Sequence, residues 1–325
     1  MDAKYNNSSP TLNSVIGFYK KYFELTLIAV FSLLWLALVF QGFPVITLDW
    51  HSLEFVFDHY LFPLVAACII QIIITFAAWL QNKTSYTIKS KEIQITLLYF
   101  PLIIVVVFLH FNFKAWTPLV NPVTYDLLYN NIDSMFPFTG WLKSIGGYLD
   151  INNSAPYLYH KLFVLMFAFS FIIHSTFDTF LNFRKVVVGT CLILLFGAVS
   201  YWIMPAIGEF VLETPELEGF YVYQNHMYTL YASFLQTGLV PIGYFTNAPA
   251  AMPSLHIANS FFLLVLAKRT IPYLAILYIF LFTYFVIIAV ASGWHYLIDL
   301  IFGLILSLAA LFIVDKVFSA QNINV

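Results

Sequence analysis

The stretch "PYLAILYIFLFTYFVIIAVASGWHYLIDLIFGLILSLAALFIV" (Pro272–Val314) decides the fold class. It contains two long apolar runs, separated only by the short polar stretch "SGWHYLID" (292–299). A helix that crosses the hydrocarbon core of a bilayer needs about 20 apolar residues. Only helices and closed barrels satisfy their own backbone groups in lipid. The two runs therefore predict two membrane-spanning helices joined by a tight polar turn.

The rest of the chain continues this pattern. Of its 325 residues, 61% are hydrophobic and 9% are charged, and the mean hydropathy is +0.86, whereas a soluble domain carries about 25% charged residues. We predict an all-α, polytopic membrane protein that forms a single membrane domain over residues 1–325. Runs that meet or approach the spanning length lie at about 25–43, 60–80, 95–112, 157–181, 186–206, 252–267, 271–291 and 296–316. These runs predict about eight transmembrane helices, of which the sixth is short and polar at its start.

Charged residues divide between the two sides of the predicted bundle. With the N-terminus inside, 11 of the 14 Lys and Arg residues fall in inner segments, as is typical of cytoplasmic loops. This orientation places both termini in the cytoplasm. The inner residues are Lys4, Lys20, Lys21, Lys83, Lys89, Lys91, Arg184, Lys185, Lys268, Arg269 and Lys316. The outer segments hold Lys114, Lys143 and Lys161 together with Asp49, Glu54, Asp58, Asp126, Asp133, Asp150, Glu209, Glu213, Glu216 and Glu218.

Two long outer segments, 113–156 and 207–251, mix aromatic and polar residues without a spanning run. Because Tyr and Trp are enriched where a bilayer meets water, we predict short helices that lie in this interface. Such helices either complete the packing outside the membrane or form a lid over a site on that face.

Three ionisable residues lie at the outer ends of two predicted spans. His256 ends the motif "PSLH" (Pro253–His256), and His295 precedes Asp299 by four residues. On a helix this spacing puts both side chains on one face. The carboxylate can then accept a hydrogen bond from one ring nitrogen and leave the other free as a nucleophile or base. A histidine on a facing helix can protonate a leaving group. Ionisable groups are costly at a membrane and mark functional sites.

Other interpretations of these residues remain open. A His-x-x-x-Asp pair is also half of a metal site, for which His226 is the only obvious further histidine. A single histidine near an interface is most often a solvated or packing residue. Cys68 and Cys191 both fall inside apolar runs, where they form neither a disulfide framework nor a metal site. We predict no metal and no other cofactor.

The motifs "PSLH" and "HYLID" (His295–Asp299) resemble, in order and spacing, the second and third signature motifs of the type 2 phosphatidic acid phosphatase superfamily. The resemblance covers residues 157–317 and implies a six-helix phosphatase-like core in the C-terminal part of the chain. It implies a general acid at His256, a nucleophile that becomes phosphorylated at His295, and its aspartate partner at Asp299. The stretch "YWIMPAIGE" (201–209) further resembles the branch of inositol phosphorylceramide synthases and related lipid phosphotransferases.

The chain departs from the family in its cations. The family carries Ser-Arg seven and six residues before the nucleophile, where this chain has Ile288 and Ala289, and a Lys followed by Arg-Pro is not recognisable. We therefore expect Ser254, the first-turn amides around Leu255, and Lys161 to bind phosphate. A phosphodiester carries one negative charge and needs less compensation than a monoester dianion. This argument favours transfer between lipid phosphodiesters.

The leading hypothesis is a metal-independent lipid phosphotransferase on the extracytoplasmic face, with a phospholipid donor and a lipid or alcohol acceptor. A lipid or polyprenyl phosphate phosphatase, with water as the acceptor, is the alternative enzyme. A non-catalytic lipid transporter would use polar residues within the spans, such as Asn259, Ser260, His174 and Asp178. Transporter sites lie near the bilayer midplane, whereas His256 and His295 lie at one end. The net charge of −2 without a basic stripe excludes a nucleic-acid partner.

Overall fold

The computed structural model describes residues 22–80, 86–213 and 217–318, and every regular element in these ranges is helical. The α-helices are α1 (Phe23–Phe40), α2 (Trp50–Val56), α3 (Phe62–Leu80), α4 (Tyr86–Ala115), α5 (Thr117–Val120), α6 (Asp126–Asp133), α7 (Phe138–Leu149), α8 (Ala155–Thr176), α9 (Phe180–Ser200), α10 (Tyr221–Thr237), α11 (Tyr244–Asn247), α12 (Leu255–Thr270), α13 (Pro272–Ala291) and α14 (Leu297–Phe318). A π-helical turn, Phe57–Leu61, joins α2 to α3.

Within the described chain, seven helical stretches are long and apolar enough to cross a membrane: Phe23–Phe40, Trp50–Ala77, Leu97–Ala115, Ala155–Thr176, Phe180–Ser200, Pro272–Ala291 and Leu297–Phe318. They confirm the predicted polytopic helical fold. The sixth predicted run, expected to be short, is helical as well. The predicted sixth span is α12, which has 16 residues and rises only about 24 Å, less than the roughly 30 Å of hydrocarbon. The helix is short because the segment before Leu255 is not helical and Pro272 opens the next helix.

Successive long helices run in opposite directions, so their ends form two layers. We call the layer that contains His256 and His295 the site end. In this layer the Trp202 indole N–H donates to the Phe113 carbonyl at 2.8 Å. At the opposite end, Arg184 of α9 pairs with Glu24 of α1, and the Tyr99 hydroxyl of α4 donates to the same carboxylate at 3.0 Å. The buried ion pair therefore ties the first span to the rest of the bundle.

Charge differs between the two layers. The described Lys and Arg side chains of the opposite end are Arg184, Lys185, Lys268, Arg269 and Lys316, whereas the site end has Lys114, Lys143 and Lys161 beside a larger number of carboxylates. Lys4, Lys20, Lys21, Lys83 and Glu216, which contributed to the orientation argument, lie outside the described residues. The described bundle has one acidic end, and that end contains the candidate catalytic residues.

The two predicted interfacial segments do form short helices. The first contains α5, α6 and α7, and the second contains α10 and α11. Gly146 of α7 packs so closely against α13 that an added Cβ would lie 2.1 Å from the Ala291 Cβ. Trp141, Tyr148 and Tyr223 are exposed on these helices, as expected for rings at a membrane interface. Cys68 and Cys191 are buried and unbonded, as predicted.

Candidate active site

A glycine brings the two histidine motifs into contact. An added Cβ at Gly303 of α14 would lie 2.5 Å from the Ser254 carbonyl oxygen, so only glycine allows α14 to approach the start of α12 this closely. The Ser254 N–H donates to the Asp299 carbonyl at 3.0 Å. The first turns of α12 and α14, which begin 42 residues apart at Leu255 and Leu297, therefore form one site.

His295 is held with a single ring nitrogen available. Its Nδ1–H donates to the Ala251 carbonyl at 3.0 Å. Because a carbonyl oxygen can only accept, Nδ1 carries the proton in the neutral ring and Nε2 has a free lone pair. Nε2 lies 3.3 Å from the hydroxyl of Ser254, which donates to it. Nε2 can act as a nucleophile once this hydroxyl turns away.

Asp299 lies beside His295 but is not its nearest acceptor. Its Oδ2 is 3.5 Å from His295 Nδ1, farther than the Ala251 carbonyl. The same oxygen accepts the Tyr296 N–H at 2.8 Å. Asp299 is fully buried, and its Oδ1 has no hydrogen-bond partner in the described part of the chain. The carboxylate thus holds the start of α14, and at 3.5 Å it can act on a charged ring of His295 mainly through space.

His256, in the first turn of α12, packs against α8. Its ring centroid is 4.4 Å from that of Phe163 and 5.1 Å from that of Tyr159. The ring of His160 follows at 6.1 Å. Helices α8 and α14 both pack on α12 and on α9. His256 therefore lies beside the histidine of α8, at the start of the helix against which α14 packs.

The three predicted phosphate-binding groups have different surroundings. Ser254 is engaged by His295. Leu255 points its side chain at Gly197, and among the described residues no side chain caps the first-turn amides of α12. Lys161 is exposed, with its Nζ 5.7 Å from the Tyr157 ring centroid. Ser254 and the amides thus lie at His295, whereas Lys161 is placed on α8.

The positions at which the wider family has Ser-Arg have a structural role here. Ile288 and Ala289 are both fully buried in α13. The Ala289 carbonyl accepts the His295 N–H at 3.2 Å. These two residues therefore position the backbone of His295 and offer no charge to a phosphate.

Two buried acids of α6 were not predicted from the sequence to belong to the site. Asp133 accepts the Leu297 N–H at 2.6 Å and so caps α14 from another helix. Asp126 accepts the Gly208 N–H at 2.9 Å and the Tyr296 hydroxyl at 3.1 Å. Burial raises the pKa of both carboxyls, that of Asp133 to about 6. The spacing of seven residues, which puts both acids on one face of a helix, was the signal that could have found them.

The described residues contain no group of three or more His, Cys, Asp or Glu side chains arranged to hold a metal ion. His226, the histidine considered as a further ligand, is exposed on α10. The chemistry that this site can support therefore depends on the groups around His295.

Residues 131–313 match the family model of the PAP2 superfamily, that of the type 2 phosphatidic acid phosphatases. The match covers more than half of the chain, and the chain belongs to this superfamily. Its members are generally phosphatases or phosphotransferases. The matched region includes Asp133 and α7, which precede residue 157, where the resemblance in the sequence begins. Comparisons with curated proteins and with solved structures gave no match.

Proposed function

We propose that this protein is a lipid phosphotransferase that moves a phosphorylated headgroup between lipids through a phosphohistidine intermediate. The observation that carries this proposal is the state of His295: its Nδ1–H is held by Ala251, and its Nε2 faces Ser254 beside the uncapped first turn of α12. Amide N–H groups at a helix start readily donate hydrogen bonds to an oxyanion, so a phosphate bound there would lie against the nucleophile.

In the first step, Nε2 of His295 attacks phosphorus, a P–N bond forms, and the bond from phosphorus to the leaving oxygen breaks. His256 gives its proton to that oxygen, so the alcohol leaves neutral. Asp299, 3.5 Å from Nδ1, stabilises the positive charge that develops on the ring of His295. Its position in a fully buried environment strengthens this interaction.

In the second step, the neutral His256 takes a proton from the hydroxyl of the accepting lipid or alcohol. The resulting oxygen nucleophile attacks phosphorus, the P–N bond breaks, and His295 is regenerated. The absence of Arg and Ser before the nucleophile, at Ile288 and Ala289, supports a phosphodiester donor with a single negative charge. If water enters in place of the alcohol, the same residues carry out hydrolysis.

A phosphorus-labelled phospholipid tests the proposal. The full-length protein in lipid nanodiscs is incubated with a donor labelled in its headgroup phosphate and with an unlabelled acceptor lipid. Label in a new lipid supports transfer, label in water-soluble phosphate identifies a phosphatase, and no release at all refutes both enzymes and favours a transporter. After rapid quenching, the wild-type protein is expected to carry phosphate label that acid removes. Absence of this label from His295→Gln or Asp299→Asn would agree with attack on phosphorus by His295.

We also propose that the site faces the extracytoplasmic side, because Lys and Arg concentrate at the opposite end of the bundle. Leu239 lies in an exposed turn after α10, and Lys268 is exposed at the other end of α12. A membrane-impermeant thiol reagent added to intact cells should label Leu239→Cys and spare Lys268→Cys. The native Cys68 and Cys191 are buried and provide the unlabelled background. The reverse pattern would place the chemistry on the cytoplasmic face.

A further inference from the structure

Three basic side chains converge beside His256 that the proposed reaction does not use. They come from the π-helical turn, from the last turn of α4 and from the first turns of α8: His59, Lys114 and His160. The ring centroid of His160 lies 5.9 Å from that of His59 and 6.1 Å from that of His256. Lys114 and His59 flank the same aromatic pair, since Lys114 lies over Phe111 and His59 stacks on Phe55.

Each of the two histidines has a buried ring nitrogen without a hydrogen-bond partner among the described residues. His59 donates through Nδ1 to the Phe55 carbonyl at 2.9 Å, which leaves Nε2 without a proton in the neutral ring. That Nε2 and the Nδ1 of His160 are both buried, and neither has a hydrogen-bond partner in the part of the chain that is described. Lys114 likewise forms no ion pair with any described residue. Buried polar atoms are nearly always paired, and unpaired charge near a membrane is costly and marks function.

The position of the cluster defines what it can bind. His256 links it to the site of His295, because its ring lies beside that of His160 and its helix, α12, packs against α14. Phosphorus attacked by His295 has its leaving oxygen on the side of His256, so the alcohol attached to that oxygen extends toward His160. The Lys114 ammonium donates to an anion directly, and the two histidines become donors when they take up a proton, so the cluster suits an alcohol that itself carries negative charge.

We propose that His59, Lys114 and His160 form an anion-binding subsite, which takes a phosphate or carboxylate group carried by the alcohol that leaves or accepts phosphorus at His295. This assignment of the alcohol rests on the proposed function, whereas the binding of an anion by the cluster does not. Lys161, one residue after His160 and exposed at the rim, adds positive potential at the entrance. The subsite would thus favour an acidic alcohol over a neutral one in the exchange.

Inorganic phosphate is the probe, and its affinity for the full-length protein in detergent is measured by calorimetry without turnover. We expect binding to wild type and to His295→Gln alike. Lys114→Gln and His160→Gln each lose one charge-assisted hydrogen bond, so each should bind phosphate about tenfold more weakly or worse. Lys114→Arg keeps the charge and should bind phosphate as the wild type does. His226→Gln, which removes an exposed histidine of α10, should bind as the wild type does.

Loss of phosphate binding in His295→Gln with unchanged binding in Lys114→Gln would overturn the subsite, because the anion would then occupy only the catalytic centre. Undiminished binding in both Lys114→Gln and His160→Gln would overturn it too, as would no binding to the wild type. Thermal unfolding without phosphate checks that each variant is folded. Turnover adds a second readout: His160→Gln should raise KM for glycerol phosphate as an acceptor and leave KM for glycerol unchanged. If His295→Gln is inactive but still binds phosphate, the anion-binding subsite is supported independently of the proposed reaction.

Discussion

Two histidine–aspartate pairs with the same spacing of four residues lie at opposite ends of the bundle. At the site end His295 precedes Asp299, and at the other end His174 precedes Asp178. The closer pair is not the proposed catalytic one: His174 Nδ1 lies 2.7 Å from the Asp178 carboxylate, against 3.5 Å between His295 and Asp299. A short contact between imidazole and carboxylate therefore does not identify the nucleophile.

The two pairs differ in what surrounds them. Asp178 also accepts the Thr179 N–H at 2.7 Å and the Asn182 side-chain amide at 2.9 Å, so it organises the turn from α8 into α9. These contacts account for the pair without any ligand, which removes one of the residue sets that favoured a transporter. At His295, in contrast, the second ring nitrogen faces a hydroxyl at the uncapped start of another helix. On the proposed function, the neighbours of the second nitrogen, and not the spacing of the pair, distinguish the reactive histidine from the structural one.

Replacing the two histidines in turn should produce the largest contrast. His295→Gln removes the atom that bonds to phosphorus, so headgroup transfer should fall by at least about 10⁴-fold. His174→Gln keeps a side chain that can donate to Asp178 and should retain transfer close to that of the wild type. Both are measured with labelled phospholipid on folded protein in nanodiscs. Equal transfer activity of the two variants would contradict the assignment of one pair to catalysis and the other to structure.

His256→Ala tests whether the site needs an acid that the opposite end lacks. General acid catalysis contributes about 10²–10⁴-fold, and a loss of this size is expected with a natural phospholipid donor. A nitrophenyl phosphodiester has a leaving group that needs little protonation, so the loss on it should be much smaller. The ratio of kcat/KM for the two donors is the measurement, and an equal loss on both would show that His256 holds phosphate instead.

Neutralising Asp299 and Asp178 in turn should affect catalysis at one end of the bundle and stability at the other. Loss of the supporting carboxylate costs about 10⁴-fold in hydrolytic triads, but Ala251 already holds the Nδ1–H of His295. We therefore expect Asp299→Asn to lose at least about 10²-fold in kcat, by weaker stabilisation of the imidazolium. Asp178→Asn should cost stability instead, about 1 kcal/mol for a weakened hydrogen bond, as read from thermal unfolding. A chelator should not reproduce the effect of Asp299→Asn in the wild type; inactivation that a divalent ion reverses would assign Asp299 to a metal.

Asp133→Asn should have the smallest effect on headgroup transfer, and its effect on stability should depend on pH in a characteristic way. Burial raises the pKa of this carboxyl from 3.8 to about 6, so between these values the folded state binds its proton more tightly than the unfolded chain does. The free energy of unfolding of the wild type, relative to the Asn variant, should therefore fall as the pH rises from about 4 to about 6. The change is at most about 3 kcal/mol. Asn can still accept the Leu297 N–H, so helix α14 remains capped, and a pH-independent difference would contradict the raised pKa.

Much of the architecture could be predicted because it depends on local hydropathy. Each apolar run has to satisfy its backbone groups by forming a helix, and this alone places the middle of each long helix. Hydropathy does not register that the segment before Leu255 lies outside the helix, so the run predicted at 252–267 begins three residues before α12. The acids Asp126 and Asp133 were absent from the predicted site, since their partners are backbone amides more than 80 residues away in the chain.

The amino-acid sequence alone was enough to predict a helical membrane protein, the alternating direction of its long helices and the proximity of His295 to Asp299. These features depend on hydropathy and on spacing along one or two helical turns. Only the tertiary structure decided which ring nitrogen of His295 is free, because Ala251, which holds the other, lies on a segment 44 residues earlier. It also decided that His59, Lys114 and His160 meet beside His256. These residues come from separate helices, and their proximity follows from how the helices pack and not from any local pattern.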